Sequence, residues 1–211
     1  MRMQPINEAK SGLDHKDCQL LKRLNTPAKI QDFLNSLPFN FEQKGETHHS
    51  VRLTLKHGRV HCFEGALLAA AALWMQGRRP LLLDLKTVRP DFDHVVALYR
   101  TNGRWGAISK TNHSVLRYRD PVYRDVRELA MSYFHEYFLD DGRKTLRSFS
   151  KPFDLSKVGT GWLTTGENLA DLAHRLDRSP HTRILSAANA RHLRPADRIE
   201  LLATDVVEYK K

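Results

Sequence analysis

Three residues of the types that support nucleophilic catalysis occur in order in the middle of the chain. Cys62 directly precedes a run of helix-forming residues, His94 follows 32 residues later, and Ser109 comes 15 residues after that. The start of a helix favours a thiolate, because its unpaired N–H groups and the helix dipole are positive there. An imidazole can exchange the proton, and a third polar group can fix the imidazole tautomer. The pattern is typical of a thiol nucleophile with a histidine base.

A buried helix is expected to position the thiol. Residues 63–76 are almost all helix formers and are apolar on nearly every side, and Gly77 follows as a stop signal. Cys62 therefore falls at the N-terminus of a central helix. The alternative interpretation is that Cys62 is a small apolar core residue, which is the commoner fate of a lone cysteine.

A β-hairpin is expected to position the other two residues. The apolar runs 94–100 and 104–109 flank Asn102–Gly103, and Asn-Gly between two such runs is a strong hairpin signal. Antiparallel pairing would bring His94, at the start of the first strand, to the same end as Ser109, at the end of the second.

The whole chain has the size of one domain with less patterned ends. Residues 1–16 are polar and unpatterned and predict a flexible tail, residues 17–155 form the main domain, and residues 156–211 predict a helical extension packed on the core.

Several local patterns lead to further expectations. Alternating apolar residues predict a half-exposed strand over 50–56, and residues 126–138 predict one helix with an apolar and aromatic face. Ser179 and Pro180 predict the start of a helix in the extension. A short helix over 17–24 would place Cys18 near the surface, with no base beside it.

The net charge bears on the possible binding partners, and the number of cysteines bears on the cellular compartment. The formal net charge is +10 among 211 residues, which raises the possibility of nucleic-acid binding. The basic residues are spread along the chain and mixed with acids, so specific nucleic-acid binding is not favoured. Two cysteines and no apolar leader or spanning segment favour a cytoplasmic protein with no membrane association.

The order and spacing of these residues resemble the transglutaminase-like superfamily, circularly permuted relatives of papain. The matching segments are HCFEGALLAAAAL around Cys62, DHVVALY around His94 and the NGRWGAIS hairpin arm, within residues 50–125. The resemblance implies a bacterial-type single-domain member with an α+β fold, in which the Cys-bearing helix packs on an antiparallel sheet and further helices lie at both ends. It also implies a Cys62 acyl-enzyme with His94 as general base and acid.

The third position departs from the family pattern. In that family a Trp is usually followed four residues later by Asp, whereas Trp105 is followed at that distance by Ser109. A hydroxyl can accept a hydrogen bond from His94 but stabilises an imidazolium less than a carboxylate does. Other candidates for the third position are Asn112, Asp93 and Asp120.

Histidines also crowd the approach to Cys62. They do not form an HExxH or CxxC arrangement, so neither a metal site nor a cofactor is predicted. His61 adjoins the thiol, but neighbours before a helix are expected to point in different directions, which favours His94 as the base. Glu64 is expected to cap the helix. The histidines concerned are His48, His49, His57 and His61.

Three hypotheses about function remain open. The first is a thiol enzyme, an amidase, peptidase or acyltransferase, that acts on a peptide, a protein or a small amide. The second is a transglutaminase-like domain that has lost catalysis and binds a peptide or protein in the same cleft. The third is a basic nucleic-acid-binding protein.

Overall fold

The computed structural model describes residues 3–43 and 45–210 and has an α+β fold. Its helices are α1 (Glu8–Ser11), α2 (His15–Arg23), α3 (Pro27–Ser36), α4 (Val51–His57), α5 (Cys62–Met75), α6 (Val126–Met131), α7 (Gly161–Thr164), α8 (Ala170–Asp177), α9 (Ala187–Ala190) and α10 (Arg198–Thr204), with 3₁₀ turns at Phe134–Glu136 and Leu155–Lys157. Within the described ranges, none of these helices has both the length and the apolar character that crossing a bilayer requires.

The strands form one antiparallel sheet. They are β1 (Leu81–Lys86), β2 (His94–Thr101), β3 (Arg104–Ile108), β4 (Arg119–Tyr123), β5 (Ser148–Ser150), β6 (Phe153–Asp154) and β7 (His181–Arg183). The order across the sheet is β4-β3-β2-β1-β5-β7, and β6 also pairs with β1. All the paired strands are antiparallel.

The central helix α5 packs on the sheet, as the sequence predicts. Every residue from Phe63 to Met75 is buried, so the helix is apolar all round because every side of it faces protein. Successive residues of β2 point to opposite faces of the sheet. Val95 and Ala97 join the apolar cluster that contains α5, whereas Val96 and Leu98 join a second cluster on the other face. Helix α6 supplies part of that second cluster.

The hairpin predicted between β2 and β3 is confirmed. Asn102 and Gly103 both have positive φ, at 49° and 79°. Two adjacent left-handed residues are what a two-residue turn between twisted antiparallel strands requires. The register pairs Ala97 with Ile108. The residues that directly follow β3 therefore run back along β2 toward its first residue, His94.

The strand predicted over residues 50–56 is wrong. This segment is helix α4, in which Val51 and Thr54 are buried three positions apart. The Ser50 side chain accepts a hydrogen bond from Leu53 N–H, and Gly58 ends the helix with φ 62°. A side-chain cap at one end and a left-handed glycine at the other are typical helix boundaries.

The helix predicted over residues 126–138 is shorter than expected. Helix α6 ends at Met131, and the chain then continues through Ser132 and Tyr133 to the 3₁₀ turn. The aromatic residues Tyr133, Phe134 and Tyr137 are all buried in the second cluster, on the face of the sheet opposite α5. The change in helical geometry lets all three side chains reach that cluster.

The two ends of the chain also differ from expectation. From residue 3 onward, the segment expected to be a tail at 1–16 contains α1 and packs on the core, where Ile6 and Leu13 are buried. The first two residues lie outside the described part. The extension at 156–211 contains helices, but residues 181–183 form the edge strand β7 where a helix was expected after Pro180. The final residue, Lys211, is likewise outside the described part.

Candidate active site

The thiol of Cys62 lies at the first position of α5 and is partly buried. Burial opposes the thiolate. Interactions with the His61 and His94 imidazoles outweigh this effect and hold the pKa of Cys62 well below its ordinary value. The other cysteine, Cys18, is completely buried in α2 rather than near the surface as expected. The two thiols therefore occupy different chemical environments.

His94 is hydrogen-bonded to Ser109. The His94 Nε2 atom lies 2.7 Å from Ser109 Oγ, and both residues are buried. The Ser109 hydroxyl donates to the backbone oxygen of Leu116 at 2.5 Å. Because that donation uses the hydroxyl proton, Ser109 Oγ is left to accept from His94 Nε2–H. This contact sets the tautomer of His94, and Nδ1 is the nitrogen that remains for Cys62.

Backbone contacts hold Ser109 in place. Its N–H donates to Gln31 Oε1 at 2.9 Å, and its carbonyl oxygen accepts from Gln31 Nε2 at 2.7 Å. Gln31 is a buried residue of α3. Helix α3 therefore fixes the end of β3 through one side-chain amide that satisfies both backbone groups.

The other candidates for the third position are engaged elsewhere. Asn112 exchanges two hydrogen bonds of 2.9 Å with the backbone of Tyr209. Asp93 Oδ1 accepts from the backbone N–H and the hydroxyl of Thr87. Asp120 is an exposed residue of β4. Of the four residues considered from the sequence, Ser109 is the one bonded to His94, and its role in catalysis stays a prediction.

His61 also contacts the thiol, contrary to expectation. Its Nδ1 atom lies 4.0 Å from Cys62 Sγ, and its Nε2 atom lies 2.8 Å from the backbone oxygen of Thr47. The expectation that adjacent side chains diverge is wrong here because His61 is the N-cap residue of α5, whose backbone is extended rather than helical. An N-cap side chain turns back over the first helical turn, and this turn contains the thiol.

Glu64 caps α5 as predicted, and it is completely buried. Its carboxylate accepts from the backbone N–H groups of His61 and His49, both at 3.2 Å. It also accepts from Asn40 Nδ2 at 3.2 Å and Thr47 Oγ1 at 3.0 Å. Several hydrogen-bond donors around a buried carboxylate are the arrangement that makes its burial tolerable.

The carboxylate of Glu64 also acts on two imidazoles. His49 Nδ1 lies 2.6 Å from Glu64 Oε1, and His61 Nε2 lies 3.6 Å from the same atom. Glu42 Oε1 is also 3.6 Å from His61 Nε2. Burial disfavours the imidazolium. The hydrogen bond to Cys62, together with the charges of Cys62, Glu64 and Glu42, nevertheless raises the pKa of His61 to about 9.

The histidines near Cys62 do not group as metal ligands in the described residues. His48 Nδ1 lies 3.2 Å from Asn168 Oδ1, and the His57 ring packs 4.8 Å from that of His49. Among the described residues, the acidic group whose oxygens approach within 4.8 Å of one another consists of Asp84, Asp93 and Asp177. Lys86 Nζ already lies 2.5 Å from Asp177 Oδ1, so a lysine ammonium supplies positive charge there.

Sequence reasoning missed two parts of the site. The Leu116 carbonyl, which accepts from Ser109, leaves no signal in a sequence because it is a backbone atom. The contact of His61 with Cys62 had a signal, since Glu64 lies three residues after His61 in the spacing of a capping box. That spacing makes His61 the N-cap residue and turns its ring toward the thiol.

One cavity of the described chain lies away from the thiol. It has a volume of about 630 Å³ and lies beyond the C-terminal end of α5, where its walls include Gln76, Arg78 and Trp105. Cys62 lies at the opposite end of the same helix.

No protein-family model matches this chain, and no curated protein sequence matches it.

Proposed function

We propose that this protein is a papain-like thiol enzyme of transglutaminase-like type that attacks an amide or acyl carbonyl through Cys62. The observation that carries the proposal is the 2.7 Å hydrogen bond between His94 Nε2 and Ser109 Oγ, which fixes one imidazole nitrogen and leaves Nδ1 for the thiol at the start of α5. The low pKa of Cys62 adds the ionised sulfur that such a reaction needs.

The first half of the proposed reaction acylates Cys62. The ionised Sγ attacks the carbonyl carbon, and the C=O electron pair moves onto the oxygen to give a tetrahedral oxyanion. When the oxyanion collapses, the C–N bond breaks and the His94 imidazolium gives its proton to the departing amine. A thioester to Cys62 and a neutral His94 remain. The N–H groups of the first turn of α5, which have no partner within the helix, are suited to the oxyanion.

The second half regenerates the thiolate. Neutral His94 takes a proton from water, and the oxygen attacks the thioester carbonyl. Collapse of the second tetrahedral intermediate releases a carboxylic acid and the Cys62 thiolate, and His94 is again protonated. An amine in place of water gives an amide and makes the protein an acyltransferase. His94 takes up one proton whether water or an amine attacks the thioester.

The fold supports this proposal. A helix that begins at the nucleophile and packs on an antiparallel sheet, with the histidine at the start of a neighbouring strand, is the arrangement that the sequence resemblance implies. A peptide, a protein or a small amide would supply the carbonyl group. A reducing cytoplasm would suit a thiol that must stay unoxidised.

A domain that has lost catalysis and binds a peptide or protein is the second candidate. The observation in its favour is the neutral third residue, since Ser109 offers no charge to stabilise a His94 imidazolium. Under this alternative, Cys62 and His94 would be present without turnover.

Acylation by p-nitrophenyl acetate tests the proposal directly. We expect one acetyl group to appear rapidly on Cys62 by intact mass and peptide mapping, followed by slow loss to water or faster loss to an added amine. Cys62→Ser should abolish the fast phase and Cys18→Ser should leave it unchanged. Acetylation confined to lysines and unaffected by Cys62→Ser would rule out the enzyme and favour the binding domain.

A further inference from the structure

Two imidazoles interact with the thiol of Cys62, although catalysis needs only one imidazole to exchange protons with the substrate. His61 approaches it from the N-cap position and His94 from the start of β2. Both contribute hydrogen bonds that favour the thiolate. Their surroundings differ in charge, which indicates that the two imidazoles have different roles.

The surroundings of His61 suit a permanent imidazolium. An imidazolium has two N–H donors, and His61 has an acceptor on each side: Thr47 O at 2.8 Å from Nε2 and Cys62 Sγ at 4.0 Å from Nδ1. Two carboxylates, Glu64 and Glu42, each lie 3.6 Å from Nε2. Opposite charges at this distance around a buried ring favour its protonated form.

The groups bonded to and behind the His94 ring carry no charge. Its Nε2–H donates to Ser109 Oγ, which carries no charge. The oxygen behind Ser109 is the Leu116 carbonyl, which is also neutral. A histidine with only neutral partners can both accept and donate a proton in one cycle.

We propose that His61, rather than His94, is the positive partner that keeps the Cys62 sulfur ionised, and that His94 is the imidazole that exchanges protons with substrate and water. This inference rests on the proposed function and divides its work between two residues. The carboxylate missing from the third position is thereby replaced by Glu64 and Glu42, which act on a different imidazole.

The N-cap role of His61 is compatible with this assignment. In a neutral ring, Nδ1 accepts from Phe63 N–H at 3.4 Å, a long contact that a protonated Nδ1 would give up. The reciprocal half of the capping box, from His61 N–H to Glu64, does not depend on the ring. The helix start therefore keeps a capping hydrogen bond when the ring is charged.

Other titratable groups facing His61 are few among the described residues. The His48 ring lies 6.3 Å away, edge to face, and His49 Nδ1 lies 2.6 Å from the same Glu64 oxygen that faces His61. A positive charge on His49 would compete with His61 for the Glu64 carboxylate.

Alkylation of Cys62 and cleavage of an amide substrate test the two roles separately. Iodoacetamide needs only the thiolate, whereas an anilide substrate also needs a proton for its leaving group. We expect His61→Asn, which retains a side-chain cap, to slow labelling of Cys62 at pH 6.5 by about tenfold or more and to move the pH profile toward that of an ordinary thiol. His94→Ala should slow this labelling by a smaller factor than His61→Asn does.

His48→Ala serves as the matched control, because this imidazole approaches His61 without contacting the sulfur. It should leave the profile unchanged. The variant His61→Gln repeats the test if the Asn variant fails to fold, as judged by circular dichroism. Acetylation by p-nitrophenyl acetate, whose leaving group needs no proton, should fall less in His94→Ala than in His61→Asn.

A larger shift of the labelling profile in His94→Ala than in His61→Asn, or equal shifts in both, would overturn the assignment. Either result would leave the proposed function intact, because Cys62 would still be ionised by an imidazole. A wild-type Cys62 that labels only above pH 8 would instead overturn the proposed function itself.

Discussion

Ser109 Oγ lies 2.7 Å from His94 Nε2, so the oxygen beside this imidazole belongs to a neutral hydroxyl. The same hydroxyl donates to Leu116 O at 2.5 Å. A hydroxyl can accept from one partner and donate to another, whereas an ionised carboxylate can only accept. The Leu116 carbonyl therefore makes serine the suitable residue at this position and makes aspartate a poor replacement.

Removing the hydroxyl should weaken the site modestly. Ser109→Ala deletes a neutral hydrogen bond worth about 0.5 to 1.5 kcal/mol, so we expect amide turnover or thioester formation to fall about 2- to 12-fold. Ser11→Ala is the control, since Ser11 is equally buried and bonds only local groups. A loss of more than about a hundredfold would mean that Ser109 does more than orient His94.

Introducing a charge at the same position should not help. In Ser109→Asp the carboxylate would face the Leu116 carbonyl oxygen and add a buried negative charge. We expect a lower melting temperature and no gain in thiol reactivity. A faster reaction with unchanged stability would contradict this prediction. It would mean that the introduced carboxylate binds a donor besides His94 and avoids the Leu116 carbonyl oxygen.

The two cysteines should differ sharply in labelling. The rate follows the thiolate fraction, which rises with pH and levels off above the pKa, so a lowered pKa for Cys62 moves the plateau to lower pH. We expect Cys62 to react with iodoacetamide near its maximal rate at pH 7. Cys18 is completely buried and should react only after unfolding. Peptide mapping after timed labelling measures both.

Glu64 should contribute strongly to stability. Glu64→Gln places an amide group among four hydrogen-bond donors, so at least one donor loses its acceptor, and we expect a loss of about 2 to 4 kcal/mol. Urea denaturation measures the change. Glu46→Gln is the control, since its side chain is 79% exposed, and it should alter stability by less than about 0.5 kcal/mol.

Gly65 should resist replacement by alanine although it lies inside a helix. A Cβ there would come 2.8 Å from Lys110 Cβ and 3.4 Å from Val60 Cγ2. Alanine gains about 1 kcal/mol in helix propensity, but overpacking of this contact costs about 1 to 3 kcal/mol. We expect net destabilisation by chemical denaturation. Gly161→Ala, where a Cβ meets open space, should be neutral or slightly stabilising.

Nucleic-acid binding should be weak and dependent on salt. With a net charge of +10, the protein can neutralise phosphates without reading bases. We expect a labelled duplex to bind at low ionic strength and to dissociate near physiological salt, whatever its sequence. Sub-micromolar affinity with a clear preference among sequences at physiological salt would restore the nucleic-acid hypothesis.

The amino-acid sequence alone determined the parts of the site that depend on short-range patterns. The helix formers after Cys62 and the stop at Gly77 predicted α5 to within one residue at each end. Asn102–Gly103 predicted the hairpin, because few residue pairs tolerate two consecutive left-handed conformations. The hairpin in turn predicted that His94 and Ser109 lie close together.

Patterns that fit two structures were not decided by the sequence. Alternation over residues 50–56 matched a strand, yet burial of Val51 and Thr54 against neighbouring helices made this segment helix α4. Likewise, packing of Tyr133 and Tyr137 in the second cluster ended α6 early. In both segments tertiary contacts outweighed local preference, because the burial of apolar side chains exceeds differences in propensity.

The charges around the thiol were decided only by the tertiary structure. Glu42 and Thr47 reach His61 from a loop about 15 to 20 residues earlier, and that approach depends on how the chain folds between them. The Leu116 carbonyl reaches Ser109 through a turn whose side chains carry no matching signal. Catalytic residue types can be read from a sequence, but their electrostatic surroundings depend on distances of a few ångströms that only packing sets.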